Sequence, residues 1–246
     1  PFPQAVAENK GLLEKSSVSY IKPEKQKAFE VGYKGLIANK LMIDLNYYYS
    51  TYTNFIINTV VILPEHTILS GNGTISDEAA MDIPNGDIQV FQLYTNATDK
   101  VSSQGISAGL TYMMNRGYTA GANITWADFN LKDANPNNIP AFNTPAYTTN
   151  VTFGNSNVYK NFGFNLAWHW QDAFDWYGTF NGNRPGRINA YSQVDLQINK
   201  KIPSVNAIVK LGGSNILNHR VYQAFGSPDV GALYYVSVVF DGLLNK

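Results

Sequence analysis

The alternation of residue types between residues 41 and 57 constrains the fold of this chain more than any other feature. The odd positions are mostly large and apolar, with Thr at 51 and 53 as the interruptions: Leu41, Ile43, Leu45, Tyr47, Tyr49, Phe55 and Ile57. Side chains of a β-strand point alternately to its two faces, so this period predicts one long strand with an apolar face and a polar face. Such a strand exceeds the usual length of about 5–6 residues in globular proteins.

Similar alternation recurs along the chain and predicts nine strands, at residues 27–37, 41–62, 88–114, 118–126, 146–153, 162–176, 188–200, 206–213 and 233–240. Short connectors alternate with long ones; the short ones are 38–40, 115–117, 154–160 and 201–205, and the long ones are 63–87, 130–145, 177–187 and 214–230. The pattern is typical of an all-β fold, an antiparallel transmembrane β-barrel with short turns at one end and long loops at the other. A soluble β-sandwich or solenoid is the alternative, because its strands also alternate.

The composition of the polar face favours the barrel. Only 15% of the residues are charged, against roughly 25% in a typical soluble domain. The polar face carries small neutral groups that suit a wet, enclosed lumen: Asn123, Thr125, Thr148, Asn150, Thr152, Asn165, Gln193, Gln197, Gly109 and Gly121. The opposite face carries groups that suit hydrocarbon, including Phe162, Leu166, Trp168, Val194, Leu196, Val236 and Phe240. We therefore expect the odd residues of 41–57 to face lipid and the even ones to face the lumen.

The remaining composition excludes several other classes of protein. No run of about 18 apolar residues is present, so the sequence predicts no transmembrane helix. The net charge is zero, so no basic footprint indicates a nucleic-acid partner. The absence of cysteine removes disulfides, thiolate metal sites and thiol nucleophiles. The first residues lack the charged and apolar regions of a signal peptide, which indicates either a mature product or the later part of a longer chain.

Several stretches resemble the C-terminal barrel half of TonB-dependent outer-membrane receptors. An Ile-x-Pro-Glu segment leads into an aromatic-Glu-x-Gly strand within "IKPEKQKAFEVGYKG" (21–35), and "LMIDLNYYYSTYTNFI" (41–56) ends in a Tyr-Ser-x-Tyr-x-x-Phe-Ile pattern. The stretch 95–112 is similar to the family's strand with a mid-strand glycine. Near the end, Asn215-Ile216-Leu217-Asn218 stands before Tyr222 and the last strand.

The resemblance implies a full protein with 22 barrel strands, of which this chain holds about the last nine. Residues 1–246 would then be the C-terminal part of the barrel, and the N-terminal plug that contacts TonB would lie outside the chain. The implied partners are outer-membrane lipid and TonB, and the implied function is uptake of a scarce nutrient such as a siderophore, vitamin, oligosaccharide or peptide. A passive or structural barrel, or a barrel subunit of a larger outer-membrane complex, is the alternative.

The last residues, "GALYYVSVVFDGLLNK", are similar in style to receptors of Bacteroidetes-type bacteria. The sugar-importing SusC branch, with its SusD-like surface lipoprotein, is one relation that this likeness suggests. The tail after Phe240 departs from the family, whose last strand often ends at the aromatic residue.

No catalytic, metal or cofactor site is predicted. The letters of "GISAG" (105–109) match the G-x-S-x-G elbow, but Ser107 lies inside an alternating strand with no helix after it, whereas the elbow needs a sharp strand-to-helix turn. The three histidines, at 66, 169 and 219, are far apart and lack metal-ligand spacing.

The most binding-like stretch is "HWQDAFDWYGTFNGNRPGR" (169–187). His169 and Gln171 share the polar parity, and aromatic platforms and planar donors at an outer strand end could meet a solute. The predicted ligand-binding residues are His169, Gln171, Trp176, Phe180, Arg184 and Arg187. A membrane-interface girdle with a solvated loop is the alternative for the aromatic residues, and a solvated histidine is the alternative for His169.

Overall fold

The computed structural model describes residues 19–66, 76–97, 100–131, 138–139, 142–177 and 186–240. Contacts divide the chain into two compact units. The first unit comprises Pro1–Gln26, Tyr52–Val101 and Leu131–Ala141, and the second comprises Lys27–Thr51, Ser102–Asn130 and Phe142–Lys246.

Strands make up most of the described chain. In chain order they are β1 (Lys25–Ile37), β2 (Leu41–Thr53), β3 (Ile56–Pro64), β4 (Ile88–Asn96), β5 (Val101–Met113), β6 (Tyr118–Leu131), β7 (Asn138–Ile139), β8 (Tyr147–Tyr159), β9 (Phe162–Gln171), β10 (Phe174–Trp176), β11 (Gly186–Ile188), β12 (Tyr191–Ile202), β13 (Ala207–Ser214) and β14 (Leu233–Phe240). Within the described residues a helix, α1 (Asp77–Asn85), lies between β3 and β4, and 3₁₀ turns occupy Asn115–Gly117 and Pro203–Val205.

The main sheet has nine strands in the order β1-β2-β5-β6-β8-β9-β12-β13-β14. Each of the nine predicted strands supplies one of its members. Neighbours in sequence are neighbours in the sheet once the smaller elements are passed over, and the pairs from β6 to β14 are antiparallel. The all-β antiparallel prediction is confirmed. Two smaller sheets, β10-β11 and β4-β3-β7, are also formed by described residues.

The pairing register separates the two faces of the sheet. Val194, Leu196 and Ile198 lie opposite Trp168, Leu166 and Phe164, so apolar side chains share one face. Gln193 and Gln197 lie opposite His169 and Asn165 on the other face. Apolar side chains such as Val236 (70% exposed) and Leu211 (58% exposed) remain uncovered. An uncovered apolar face of this size suits hydrocarbon, as in an outer-membrane barrel.

Three predicted strands are each broken in two, and one of them, 162–176, splits into β9 and β10, which belong to different sheets. The predicted strand 41–62 stops at Thr53 and restarts as β3 at Ile56, because Asn54 adopts a left-handed conformation (φ 55) that an extended strand cannot contain. The predicted strand 88–114 is likewise split into β4 and β5. Parity therefore does not carry past Asn54, and Ile57, expected to face lipid, is buried at 2% exposure.

The short turns use left-handed residues, which match the twist of a tight hairpin. Ala38 and Asn39 turn β1 into β2, and Arg116 lies in the turn before β6. The turn expected at 154–160 is wrong in position, because β8 runs on to Tyr159 through a register irregularity and turns at Lys160 and Asn161, both at positive φ.

The first unit contains a small sheet and the helix. β3 pairs with β4 from Ile56–Asn96 to Pro64–Ile88, and β7 pairs with the other edge of β3. The Ser76 hydroxyl caps α1 by accepting a bond from the Ala79 amide, and Gly86 ends the helix at φ 88. The composition of residues 63–87 predicts only a polar connector, and this helix was not predicted. None of the described helices has the length and apolar character needed to cross a membrane.

Hydrogen bonds within this unit join the Ile-x-Pro-Glu segment to residues beside the break at Asn54. The Glu24 carboxylate accepts a bond from the Ile56 amide (3.0 Å). The Asn96 amide bonds both backbone groups of Lys22 (2.7 and 3.0 Å) and donates to the carbonyl of Asn54 (2.7 Å). Glu24 of the motif and Asn96 of β4 therefore supply partners for backbone groups of Ile56 and Asn54 beside the break.

Candidate ligand-binding site

A row of neutral polar side chains crosses four adjacent strands of the nine-stranded sheet. Asn123 of β6, Asn150 of β8, His169 of β9 and Gln193 of β12 are successive register partners, so all four lie on the polar face. Asn150 Nδ2 donates to Asn123 Oδ1 at 2.9 Å, and His169 Nδ1 lies 2.7 Å from Asn150 Oδ1. The first three side chains thus form one hydrogen-bonded chain, which we call the amide row.

A concavity adjoins the amide row on the same sheet. Its volume is about 430 Å³, and its lining includes Ser107, Gly109, Gly121, Asn123, Asn150 and Thr152. Gly109 leaves room beside the wall, because a Cβ added there would meet no atom closer than 3.7 Å, whereas a Cβ added at Gly121 would lie 2.8 Å from the Thr152 hydroxyl oxygen. The lining is mixed, since Met42, Leu110 and Ala122 stand beside the hydroxyl, amide and glycine groups.

A smaller concavity lies nearer the C-terminal strands. It has a volume of about 180 Å³ and is lined in part by Asn165, Asp195, Gln197 and Tyr235. The Asp195 carboxylate accepts hydrogen bonds from the Ser214 hydroxyl (2.9 Å) and from the backbone N–H of Asn215 (2.8 Å). These bonds hold the end of β13 in place. Asp195 therefore has a structural role in this concavity.

The structure divides the predicted ligand-binding residues between two places. His169 and Gln171 lie on the polar face of the main sheet, with Gln171 opposite Thr148 and Tyr191. The His169 and Tyr191 rings lie 6.1 Å apart. Asn123 and Asn150 complete this group; parity had placed them on the polar face but gave no sign of their contact with His169.

Trp176 and Arg187 belong instead to the separate β10-β11 sheet. Arg187 is the register partner of Asp175, and its guanidinium lies 2.9 Å from that carboxylate. The Trp176 ring packs 6.3 Å from the Phe174 ring. Arg187 is thus already paired, and the structure does not bring it to the amide row. Phe180 and Arg184 lie outside the described residues. The binding assignment of all six residues stays a prediction.

No cluster of three or more His, Cys, Asp or Glu side chains suited to a metal ion occurs in the described part of the chain. Ser107, in the motif that resembles a nucleophile elbow, lies within β5, which is followed by the 3₁₀ turn and β6. The geometry that the elbow requires is therefore missing at this serine.

Comparison with known proteins identifies the family. The TonB dependent receptor-like, beta-barrel family matches residues 10–216. The chain therefore belongs to this family. No curated protein sequence matches the chain.

Solved structures of receptors and transporters share the fold. The FrpB iron transporter from Neisseria meningitidis is 14% identical with a TM-score of 0.62, and the match covers 90% of this chain and 31% of that one. The siderophore receptor PirA from Acinetobacter baumannii is 17% identical with a TM-score of 0.59, covering 89% and 32%. The copper transporter OprC is 14% identical with a TM-score of 0.64, covering 89% and 31%. This chain thus spans about a third of the length of each.

Proposed function

We propose that this chain is the C-terminal part of the barrel of a TonB-dependent receptor that imports a scarce nutrient across the outer membrane. The observation that carries the proposal is the family match over a nine-stranded, two-faced antiparallel sheet. Receptors of this class have about 22 strands around a plugged lumen. In this proposal the plug and the TonB contact belong to the rest of the protein.

The mechanism is one of binding and gating, without covalent chemistry. Outer loops and the lumen wall bind the nutrient, and force from the periplasm, passed through TonB, remodels the plug and opens a path. The barrel wall contributes polar groups that hold the solute at each stage, and its apolar outer face holds the receptor in lipid.

The proposed orientation puts the long connectors outside the cell and the short turns and C-terminus in the periplasm, the usual arrangement of such barrels. Cysteines introduced singly at Asn39 and Asn206, in the short turns, and at Tyr222, in a long loop, test this. Only the cysteine at position 222 should react with an impermeant maleimide on intact cells. Labelling at the short turns alone would reverse the topology.

The ligand classes to test follow from the family and its structural neighbours. FrpB is an iron transporter, PirA a siderophore receptor and OprC a copper transporter, which makes metal chelates one class. Oligosaccharides, vitamins and peptides are the others. A Bacteroidetes-type, sugar-importing subtype is retained within the proposal, and a surface lipoprotein copurifying with the receptor would assign it.

Uptake with and without TonB provides the decisive experiment. Cells that express the full-length receptor should accumulate one class of these solutes, and removal of TonB should abolish the accumulation while leaving the receptor in the membrane. Accumulation that persists without TonB would instead indicate a passive barrel. An outer membrane that loses integrity without the receptor, with no solute transported, would indicate a structural role.

A further inference from the structure

We infer that a cluster of Tyr159, Lys160, Phe162 and Lys200 binds the phosphate of an anionic phospholipid in the leaflet next to the short turns. We call these four residues the basic edge. The inference rests on the proposed function, which puts the short turns in the periplasm and the apolar face of the sheet in lipid. It goes beyond that function by assigning a lipid class to one place on the barrel wall.

The pairing register places Lys200 on the lipid face of the sheet, at its short-turn end. Val194, Leu196 and Ile198 precede Lys200 at every second position of β12 and share its face. Lys200 is the register partner of Phe162, the first residue of β9. β9 has ten residues, and a tilted strand needs about 9–11 to cross the hydrocarbon. Phe162 and Lys200 therefore lie at the boundary between the hydrocarbon and the headgroups.

The two ammonium groups of the basic edge lie beside aromatic rings. Lys200 Nζ is 4.0 Å from the centroid of the Phe162 ring, and Lys160 Nζ is 5.1 Å from the centroid of the Tyr159 ring. Tyr159 and Phe162 are register partners, so their rings share one face. Both rings are exposed, Tyr159 at 65% and Phe162 at 47%, as aromatic residues at the level of the headgroups are.

Lys200 is held in place and still has hydrogen-bond donors to offer. Its Nζ donates to the backbone carbonyl of Lys160 at 2.6 Å, which uses one of the three N–H donors of an ammonium group and leaves two for a ligand. Lys160 itself adopts a left-handed conformation (φ 43) in the turn between β8 and β9. The turn therefore brings a second lysine to the same patch of surface.

The charge at this end of the sheet favours an anionic partner. Residues 38–40, 115–117, 159–162 and 200–206, in and beside the short turns, include no Asp or Glu. Their charged residues are all cations: Lys40, Arg116, Lys160, Lys200 and Lys201. Within the described part of the chain none of these cations makes an ion pair, whereas Arg187 and Arg220, near the long loops, each pair with a carboxylate. Unpaired cations at a membrane surface attract anionic lipid.

Phosphatidylglycerol matches this arrangement better than a zwitterionic lipid does. The phosphate of phosphatidylethanolamine lies beside that lipid's own ammonium group, whereas the phosphate of phosphatidylglycerol has no cation in its headgroup. Such a phosphate accepts charge-assisted hydrogen bonds from the two lysines. Its acyl chains then lie along the adjoining apolar face, where Phe164 and Ile198 are register partners.

Lipid binding to the full-length receptor in detergent, measured by native mass spectrometry, provides the test. The probes are phosphatidylglycerol, phosphatidylethanolamine and inorganic phosphate. Lys200→Gln and Lys160→Gln each remove one charge, and a glutamine side chain still has an N–H donor for the Lys160 carbonyl. Lys201→Gln is the matched control, because it removes the same charge from the next residue of β12, whose side chain lies on the opposite face. Lys200→Arg keeps the charge.

We expect phosphatidylglycerol to bind more tightly than phosphatidylethanolamine. Lys200→Gln and Lys160→Gln should each weaken phosphatidylglycerol binding about fivefold, the effect of one lysine charge near an anionic surface. Lys201→Gln and Lys200→Arg should bind it as the unchanged receptor does. Equal binding of the two lipids, or equal weakening by Lys200→Gln and Lys201→Gln, would overturn the inference. Full displacement of the lipid by an equal concentration of inorganic phosphate would also overturn it, because it would indicate a general anion site.

Failure of this inference and failure of the proposed function give different results. Any of the three contrary binding results, with TonB-dependent uptake intact, removes the lipid site alone. Absence of TonB-dependent uptake removes the proposed transport and leaves the lipid comparison to decide the inference. Labelling of the short turns on intact cells would overturn both the proposed orientation and the inference, because the adjacent leaflet would then be the outer one.

Discussion

At the scale of single residues, buried side-chain amides stabilise the local structure of this chain. Asn215 is 1% exposed and adopts a left-handed conformation (φ 51) directly after β13. The side-chain oxygen of Asn215 accepts a hydrogen bond from the backbone N–H of His219. Its side-chain nitrogen donates to the backbone carbonyls of His219 and Val230. The side chain therefore closes the loop that leads to β14, which gives a physical reason for an asparagine at the start of the Asn-Ile-Leu-Asn motif.

Asn215→Ala should destabilise the receptor by about 1–3 kcal/mol, because the change leaves buried backbone groups without partners. Asn206→Ala is the matched control: Asn206 also has positive φ (47), and its side chain makes no hydrogen bond within the described chain. Both changes carry the same backbone strain, so the difference between their urea unfolding midpoints measures the side-chain bonds. Equal midpoints would show that the Asn215 bonds contribute nothing to stability.

At the scale of elements, the glycines differ in how closely atoms of neighbouring strands approach them. A Cβ added at Gly105 of β5 would lie 2.6 Å from the Tyr48 ring and 2.7 Å from the carbonyl oxygen of Trp126. At Gly109, on the same strand and face, the nearest atom would be 3.7 Å away.

Gly105→Ala should therefore destabilise the sheet by about 1–3 kcal/mol through overpacking, whereas Gly109→Ala should change stability by less than about 0.5 kcal/mol. Unfolding of the full-length receptor in lipid, followed by tryptophan fluorescence, measures both. Similar losses of stability in the two variants would mean that the glycines act through strand propensity and not through their contacts with neighbouring strands.

The Asp82 carboxylate makes the stability of helix α1 depend on pH. The backbone N–H of His66 donates to the carboxylate of Asp82 (2.8 Å), and this bond holds the pKa of Asp82 below its usual value; the His66 ring adds a second contact at 2.7 Å. Because the folded pKa is depressed, the contact stabilises fully above the unfolded pKa and is lost as pH falls through the folded one.

Hydrogen exchange at the backbone amides of residues 79–83 and 85 should accordingly quicken on acidification in the unchanged receptor. Asp82→Asn should exchange quickly at every pH and show little pH dependence once intrinsic exchange is corrected for. Asp87→Asn, whose backbone carbonyl still accepts the Glu65 amide, is the control that should behave as the unchanged receptor does. A steep acid dependence that survives in Asp82→Asn would assign the effect to another group.

The elements also show what periodicity can and cannot predict. The nine main strands were predictable because their two faces lie in different surroundings. Apolar and polar residues therefore alternate along each strand. The break at Asn54 and the nine-residue helix α1 were not, because one left-handed residue leaves the alternation intact and a short helix in a polar connector has little period. The faces of Asn150 and His169 followed from parity, but their contact depends on the pairing register, which a bulge and turn position set.

At the scale of the whole molecule, the assignment of the two faces can be tested by a pair of adjacent residues. Leu45 lies on the apolar face of β2 and is 44% exposed, while Asn46 lies on the polar face and donates to the Glu30 carboxylate at 2.6 Å. Leu45→Arg should disfavour membrane insertion by about 2–4 kcal/mol near the midplane. Asn46→Arg should be tolerated, because Glu30 remains as its partner. Equal loss of folded receptor from outer-membrane fractions would refute the assignment.

Closure of the barrel is the last requirement at this scale. β1 and β14 are the two ends of the nine-stranded order and are not neighbours. Among the described residues each therefore has one edge without a partner strand, and in lipid every unpaired N–H or C=O group costs several kcal/mol. We expect residues 1–246, expressed alone and folded into micelles, to give no heat-resistant monomer, whereas the full-length receptor, with about 22 strands, should give one. Electrophoresis with and without boiling distinguishes the two. A protease-resistant monomer of nine strands from residues 1–246 would mean that the two edges can pair with each other, and would favour a small passive barrel.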